Sequence, residues 1–153
     1  MMNGGIKPPA IYSEWVETLD MLEAKTDDAD VLQALRQGTI EWQSGVAERF
    51  AKKLTGVINA RMNAATDKFQ RDLNNAHGQE GPLVQALLAL RKEMSFLSQA
   101  INLPAIPEKD REQYHQLVIK QADAMQTSLE DSAKSDRTGK MSSIVKNHRV
   151  NAF

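Results

Sequence analysis

The sequence predicts an all-α fold, an antiparallel bundle of four main helices with a basic C-terminal tail. Three observations carry that expectation. Apolar residues recur every three or four positions through most of the chain, the spacing of a helix with one buried face. No stretch alternates apolar and polar residues over six positions or more, so no sheet is expected. Pro, Gly and Asn clusters fall between the periodic stretches, where helices must stop and turn. The 153 residues fit a single domain. The division expected is a helical domain over 1–135, with a leader at 1–9, and a basic tail over 136–153, either docked or flexible.

The leader ends at Pro8-Pro9. A first helix is expected from about Ile11 to Lys25, with Ile11, Trp15, Val16, Leu19 and Leu22 inward and Glu14, Glu17, Asp20 and Glu23 outward. Thr26-Asp27-Asp28 interrupts it, and Asp28 is placed to cap the next helix, since its carboxylate can accept from free backbone N–H groups.

The second helical region is the longest. Val31, Leu32 and Leu35 form a short amphipathic piece that Gly38 can end. Val46, Phe50, Leu54, Ile58, Met62, Ala65, Phe69 and Leu73 then continue in steps mostly of four. Such a stripe drifts around a helix of 3.6 residues per turn, so its two halves should face different neighbours. Unbroken from Thr39 to Ala76 the helix would span about 57 Å, nearly twice the ~30 Å of the next one. It is therefore expected to bend, at Gly45 or Gly56, or to overhang.

The third helix opens at Gly81-Pro82, where the missing proline N–H costs nothing. Leu83, Leu87, Leu90, Met94, Leu97 and Ile101 step by four and three, a coiled-coil seam. The fourth helix starts near Pro107, with Tyr114, Val118, Ala122, Met125, Leu129 and Ala133 inward, and fades near Lys134-Ser135. In the tail, Met141, Ile144, Val145 and His148 can supply a helical turn or two.

The net charge of -1 is a cancellation. Residues 1–31 sum to -5, 32–76 to +3, 77–107 to zero, 108–135 to -2 and 136–153 to +3. Either the acidic and basic stretches face each other, or the tail cations Arg137, Lys140, Lys146 and Arg149 await an anionic partner such as nucleic acid. The chain has no overall basic excess, and no aromatic is interleaved with the tail cations to stack on bases.

Catalytic chemistry finds little purchase. There is no cysteine, which removes thiolate nucleophiles and thiolate metal sites. Glu112-Gln113-Tyr114-His115 has the E-x-x-H spacing of carboxylate-bridged metal bundles, which need it twice, and no second copy occurs. Asp27-Asp28-Ala29-Asp30 opens like a calcium loop, but counting from Asp28 the required glycine and glutamate positions hold Gln33 and Thr39. No phosphate-binding glycine loop or nucleophile elbow is present. Glu93, beside the seam, is expected to pair with Arg61 or Arg71. No enzyme activity, cofactor or metal is expected.

The remaining reading is a non-enzymatic interaction protein, an adaptor or assembly factor that binds a protein partner or a second copy through helix faces. Its candidate contact residues are Trp42, Val46 and Phe50, together with Gly56 and Ala60, small residues four apart that admit close helix approach. The alternative is a nucleic-acid-associated accessory protein using the tail. No apolar run approaches the roughly 18 residues of a membrane helix. The opening residues lack a basic stretch followed by an apolar one. A cytoplasmic protein is the expectation.

Overall fold

The computed structural model describes residues 5–134 and 139–150. The fold is all-α, as expected, but among the described residues the count is six helices rather than four: α1 (Tyr12–Glu23), α2 (Asp28–Gln37), α3 (Val46–Ala76), α4 (Glu80–Ile101), α5 (Glu108–Ala133) and α6 (Lys140–Asn147). The correction has two sources. The long second region is two helices, separated by a non-helical stretch over 38–45 that ends in a turn at 44–45, and the tail contains a helix of its own.

The break between α2 and α3 stems from its two glycines. Gly38 leaves α2 in an extended conformation (φ -70°, ψ 157°), and Gly45 enters α3 at φ +83°, a left-handed geometry that costs glycine nothing. Between them Ile40 and Trp42 are half-buried while Glu41 and Gln43 are exposed, the inward–outward alternation of extended chain. Gly56 does not interrupt α3, which runs on to Ala76. Asp28 does not cap α2 either. Asp27 occupies that position at φ +51° with no side-chain cap bond, and Asp28 is the first helical residue.

The chain divides into two compact units. The first comprises residues up to Arg61 with Gln99–Tyr114, and the second Met62–Ser98 with His115 onward. The first unit therefore holds α1, α2, the opening half of α3, the last turn of α4, the connection over 102–107 and the first turns of α5.

Its buried side chains include Trp15, Leu19, Leu22, Val31, Leu35, Phe50, Leu54, Ile58 and Ile106. Phe50 receives two edge-on aromatic contacts, from Trp15 at 5.4 Å and 78° and from Trp42 at 5.4 Å and 83°, the arrangement favoured by ring quadrupoles. Each indole also finds a carbonyl. Trp15 Nε1 donates to Thr39 O at 2.8 Å and Trp42 Nε1 to Ala105 O at 3.0 Å. Burial pushes the Tyr114 phenol up to about 12, with the Asp110 carboxylate adding to the effect.

Arg61 is 1% exposed and carries the first unit's polar anchor. Its Nη1 donates to Leu22 O at 3.0 Å, at the end of α1, and its two terminal nitrogens reach both Asp28 oxygens at 2.9 Å. One guanidinium thus ties the C-terminus of α1, the N-terminus of α2 and α3. Burial of so strongly hydrated a group is tolerated only with this kind of bidentate pairing.

The second unit is built from the closing half of α3, α4, α5 and α6. The turn between α3 and α4 uses His77 at φ +51° and Gly78 at φ +75°, and so short a connection makes the two helices antiparallel neighbours. The predicted seam is buried from Leu83 through Leu97. α6 is docked through Ile144, Val145 and, just beyond the helix, Val150. On α5, Gln126 rather than Met125 turns inward: Gln126 is 1% exposed, its Oε1 accepts from Val150 N at 2.9 Å, and its Nε2 donates to Glu130 at 3.1 Å and Val145 O at 3.5 Å.

Candidate functional site

The candidate site is a groove of about 540 Å³ at the N-terminal side of the first unit, lined by Ile11, Tyr12, Ile40, Glu41, Gln43 and Val46 among others. Its walls are the leader, the first turn of α1 and the extended stretch before α3. The leader and the two residues that follow it are held by hydrogen bonds, one of them from Lys7 Nζ to the Glu14 carboxylate at 3.4 Å. Thr39 N donates to Pro9 O at 2.9 Å, and the Glu14 carboxylate accepts from Ala10 N at 2.9 Å and Ile11 N at 3.3 Å. Those N–H groups, that of Ala10 above all, and the nearby Lys7 ammonium hold the Glu14 carboxyl below its ordinary value.

Ile11 stands at this groove with 60% of its surface exposed, the more exposed of the two large apolar side chains left open among the described residues. Ile40 and Val46 are half-buried. The one charged side chain lining it is the exposed carboxylate of Glu41, which accepts from Gln43 Nε2 at 3.3 Å; the exposed guanidinium of Arg49 is outside the lining, with its Cζ 5.0 Å from the centre of the Tyr12 ring.

The residues predicted to bind a partner separate into three groups. Val46 lines the groove and is part-open. Trp42 is half-buried, with its indole N–H spent on Ala105, and Phe50 is 1% exposed, so Phe50 supports the face from beneath and cannot touch a partner. Gly56 and Ala60 lie exposed on α3, and a methyl group built at Gly56 would meet nothing within 4 Å. Hydropathy assigns Ile11 to the core of the first helix, and the structure leaves it open. Its place one residue before the helix begins, where the i+4 rule loses its hold, is the signal that marks it out.

Of the tail cations, Lys140 Nζ lies 3.4 Å from Glu80 and Arg149 Nη1 3.8 Å from Glu130, while Lys146 is exposed. Arg137 lies outside the described residues. Among the described residues no three His, Asp or Glu side chains gather where a metal ion could be held. No helix among them is long and apolar enough to cross a membrane.

No protein-family model matches the chain, and no curated protein or solved structure matches it either.

Proposed function

We propose that the chain is a non-enzymatic interaction protein that assembles through the N-terminal groove of its first unit, with a second copy of the chain as the occupant. The observation that carries the reading is Ile11, a large apolar side chain 60% exposed at a mainly apolar groove that carries the Glu41 carboxylate, with the Arg49 guanidinium nearby against the Tyr12 ring. A two-fold pairing brings the same patch of each copy together, so a self-complementary rim is what it requires. Glu41 of one copy and Arg49 of the other satisfy that requirement, twice over. A cytoplasmic setting belongs to the same proposal, and fractionation of the native cell checks it.

Sedimentation velocity over a concentration series tests the assembly. The wild-type chain is expected to dimerise, and Ile11→Glu with Val46→Glu is expected to leave a folded monomer. Glu41→Arg and Arg49→Glu should each weaken the dimer, and the two together should restore it. A chain that stays monomeric up to ~1 mM, where association is worth only about 4 kcal/mol, overturns the reading.

A further inference from the structure

The second unit contains a separate groove of about 280 Å³ between α3, α4 and α5. Its floor is Met62, Phe69, Leu90 and Leu129, each under 5% exposed, and Met125 forms a part-open wall. Its edges carry amides and hydroxyls, among them Asn63, Gln70 and Ser128. One quarter of the chain is charged, yet no charged side chain lines this groove. The charges on the same helices lie elsewhere: Met62 to Thr66 and Ala124 to Leu129 are both charge-free runs, flanked by Arg61, Asp67, Asp123 and Glu130.

We propose that this groove binds one uncharged, mainly apolar small molecule, held by the methionine and leucine floor and oriented by a hydrogen-bonding group at the neutral rim. The volume equals about nine waters of bulk liquid, room for a single small organic molecule and not for a helix. Clefts between bundle helices with an apolar lining and few polar groups are where such ligands sit. Charge selection arises from desolvation: a carboxylate placed here meets no cation, so its burial is uncompensated, while a hydroxyl can bond to Asn63, Gln70 or Ser128. Met62 and Met125 adapt their unbranched side chains to the ligand's outline.

The test uses the full chain with methyl-labelled methionine and a matched pair of probes, 2-naphthol and 2-naphthoate. Saturable shifts of the Met62 and Met125 methyl signals by naphthol are expected, with Met21 in the first unit unmoved. Naphthoate should bind at least ~10-fold more weakly, a difference of about 1.4 kcal/mol. Ala124→Phe and Ser128→Phe each add a ring to an exposed position on the groove edge, and each should abolish the shifts without lowering the melting temperature. No saturable shift overturns the proposal, as does equal binding of naphthoate. Shifts at the two methyls that track protein concentration without any probe also overturn it, because the groove then takes a second copy.

Discussion

The two units solve the same burial problem with different means. The first is made of short pieces: two helices of 12 and 10 residues, half of a third, and extended connections. The second draws on long helices, with an aliphatic and methionine seam. Short elements expose more chain ends, and every end leaves backbone groups that need partners. Accordingly the first unit spends side chains on backbone: Trp15 on Thr39 O, Trp42 on Ala105 O, Arg61 on Leu22 O and Glu14 on two N–H groups. Long helices satisfy most of their own backbone; in the second unit Gln126 is the side chain that bonds across elements to the backbone at the short α6. Both tryptophans belong to the first unit, so indole fluorescence tracks that unit while far-ultraviolet circular dichroism tracks both.

The sharpest break of this contrast is Arg61→Ala. It leaves Leu22 O and the Asp28 carboxylate without the buried guanidinium between them. A loss of about 3 kcal/mol is expected, at the low end for a broken buried pair because Asp28 keeps some access to water. Urea titration monitored by indole fluorescence should show it. A loss under about 0.5 kcal/mol would mean that the buried Arg61–Asp28 pair contributes no more than a surface ion pair, and the first unit would lose its polar anchor.

Gly38→Ala has the second largest expected effect. A Cβ at Gly38 would stand 2.7 Å from Trp15 Cζ2 and 3.0 Å from the Pro9 ring, so the indole must move. Overpacking of this kind costs about 2 kcal/mol. Fluorescence should register it along with the melting temperature, whereas Gly56→Ala, with open space around its Cβ, should stabilise α3 by a few tenths to 1 kcal/mol.

Much of the long-helix architecture is legible in the sequence, because a regular period repeated over six turns averages out local exceptions. The α4 seam is buried at every predicted position, and so is the stripe of α3 from Phe50 through Phe69. What escapes is irregular. The extended stretch before α3 alternates only from Ile40 to Gln43, too short to stand out against a helical period that its apolar residues also fit. Gln126 escapes because periodicity ranks Met125 above it: hydropathy places a methionine inward, and only the docked backbone of α6 rewards an amide there. The groove at Ile11 escapes for a related reason, since a residue just outside a helix keeps its hydropathy but loses its face.

Gln126→Leu probes the bond set that holds α6 in the second unit. The leucine matches the apolar surroundings but leaves Val150 N–H and Val145 O without the amide. A loss of about 1–2 kcal/mol is expected. It should appear as faster amide exchange over residues 144–150, with indole fluorescence midpoints moved less than exchange at α6. Equal effects at both would mean that the two units do not differ in the way their bonding implies.

The smallest expected effect is a pH dependence at the start of α1. The Glu14 carboxyl is held below its ordinary value of 4.5, first by the Ala10 N–H and also by Lys7 and the Ile11 N–H. A carboxyl lowered in the folded state binds fewer protons there than in the unfolded chain. Its contribution to stability is therefore complete above pH 4.5 and is lost as the pH falls through the lower, folded value. The bonds concerned hold the leader beside Ile11, so acid should loosen the wall of the groove before it disturbs the core. The protection of the Ala10 and Ile11 amides, taken relative to their intrinsic exchange rates, is expected to fall as the pH drops through the lowered, folded value, and Glu14→Gln should show the weaker protection already at neutral pH with little further change in acid. If Glu14→Gln leaves the protection of these amides unchanged at neutral pH, the chain ahead of α1 is held by the Thr39–Pro9 bond without the carboxylate, and Glu14 has no part in shaping the groove.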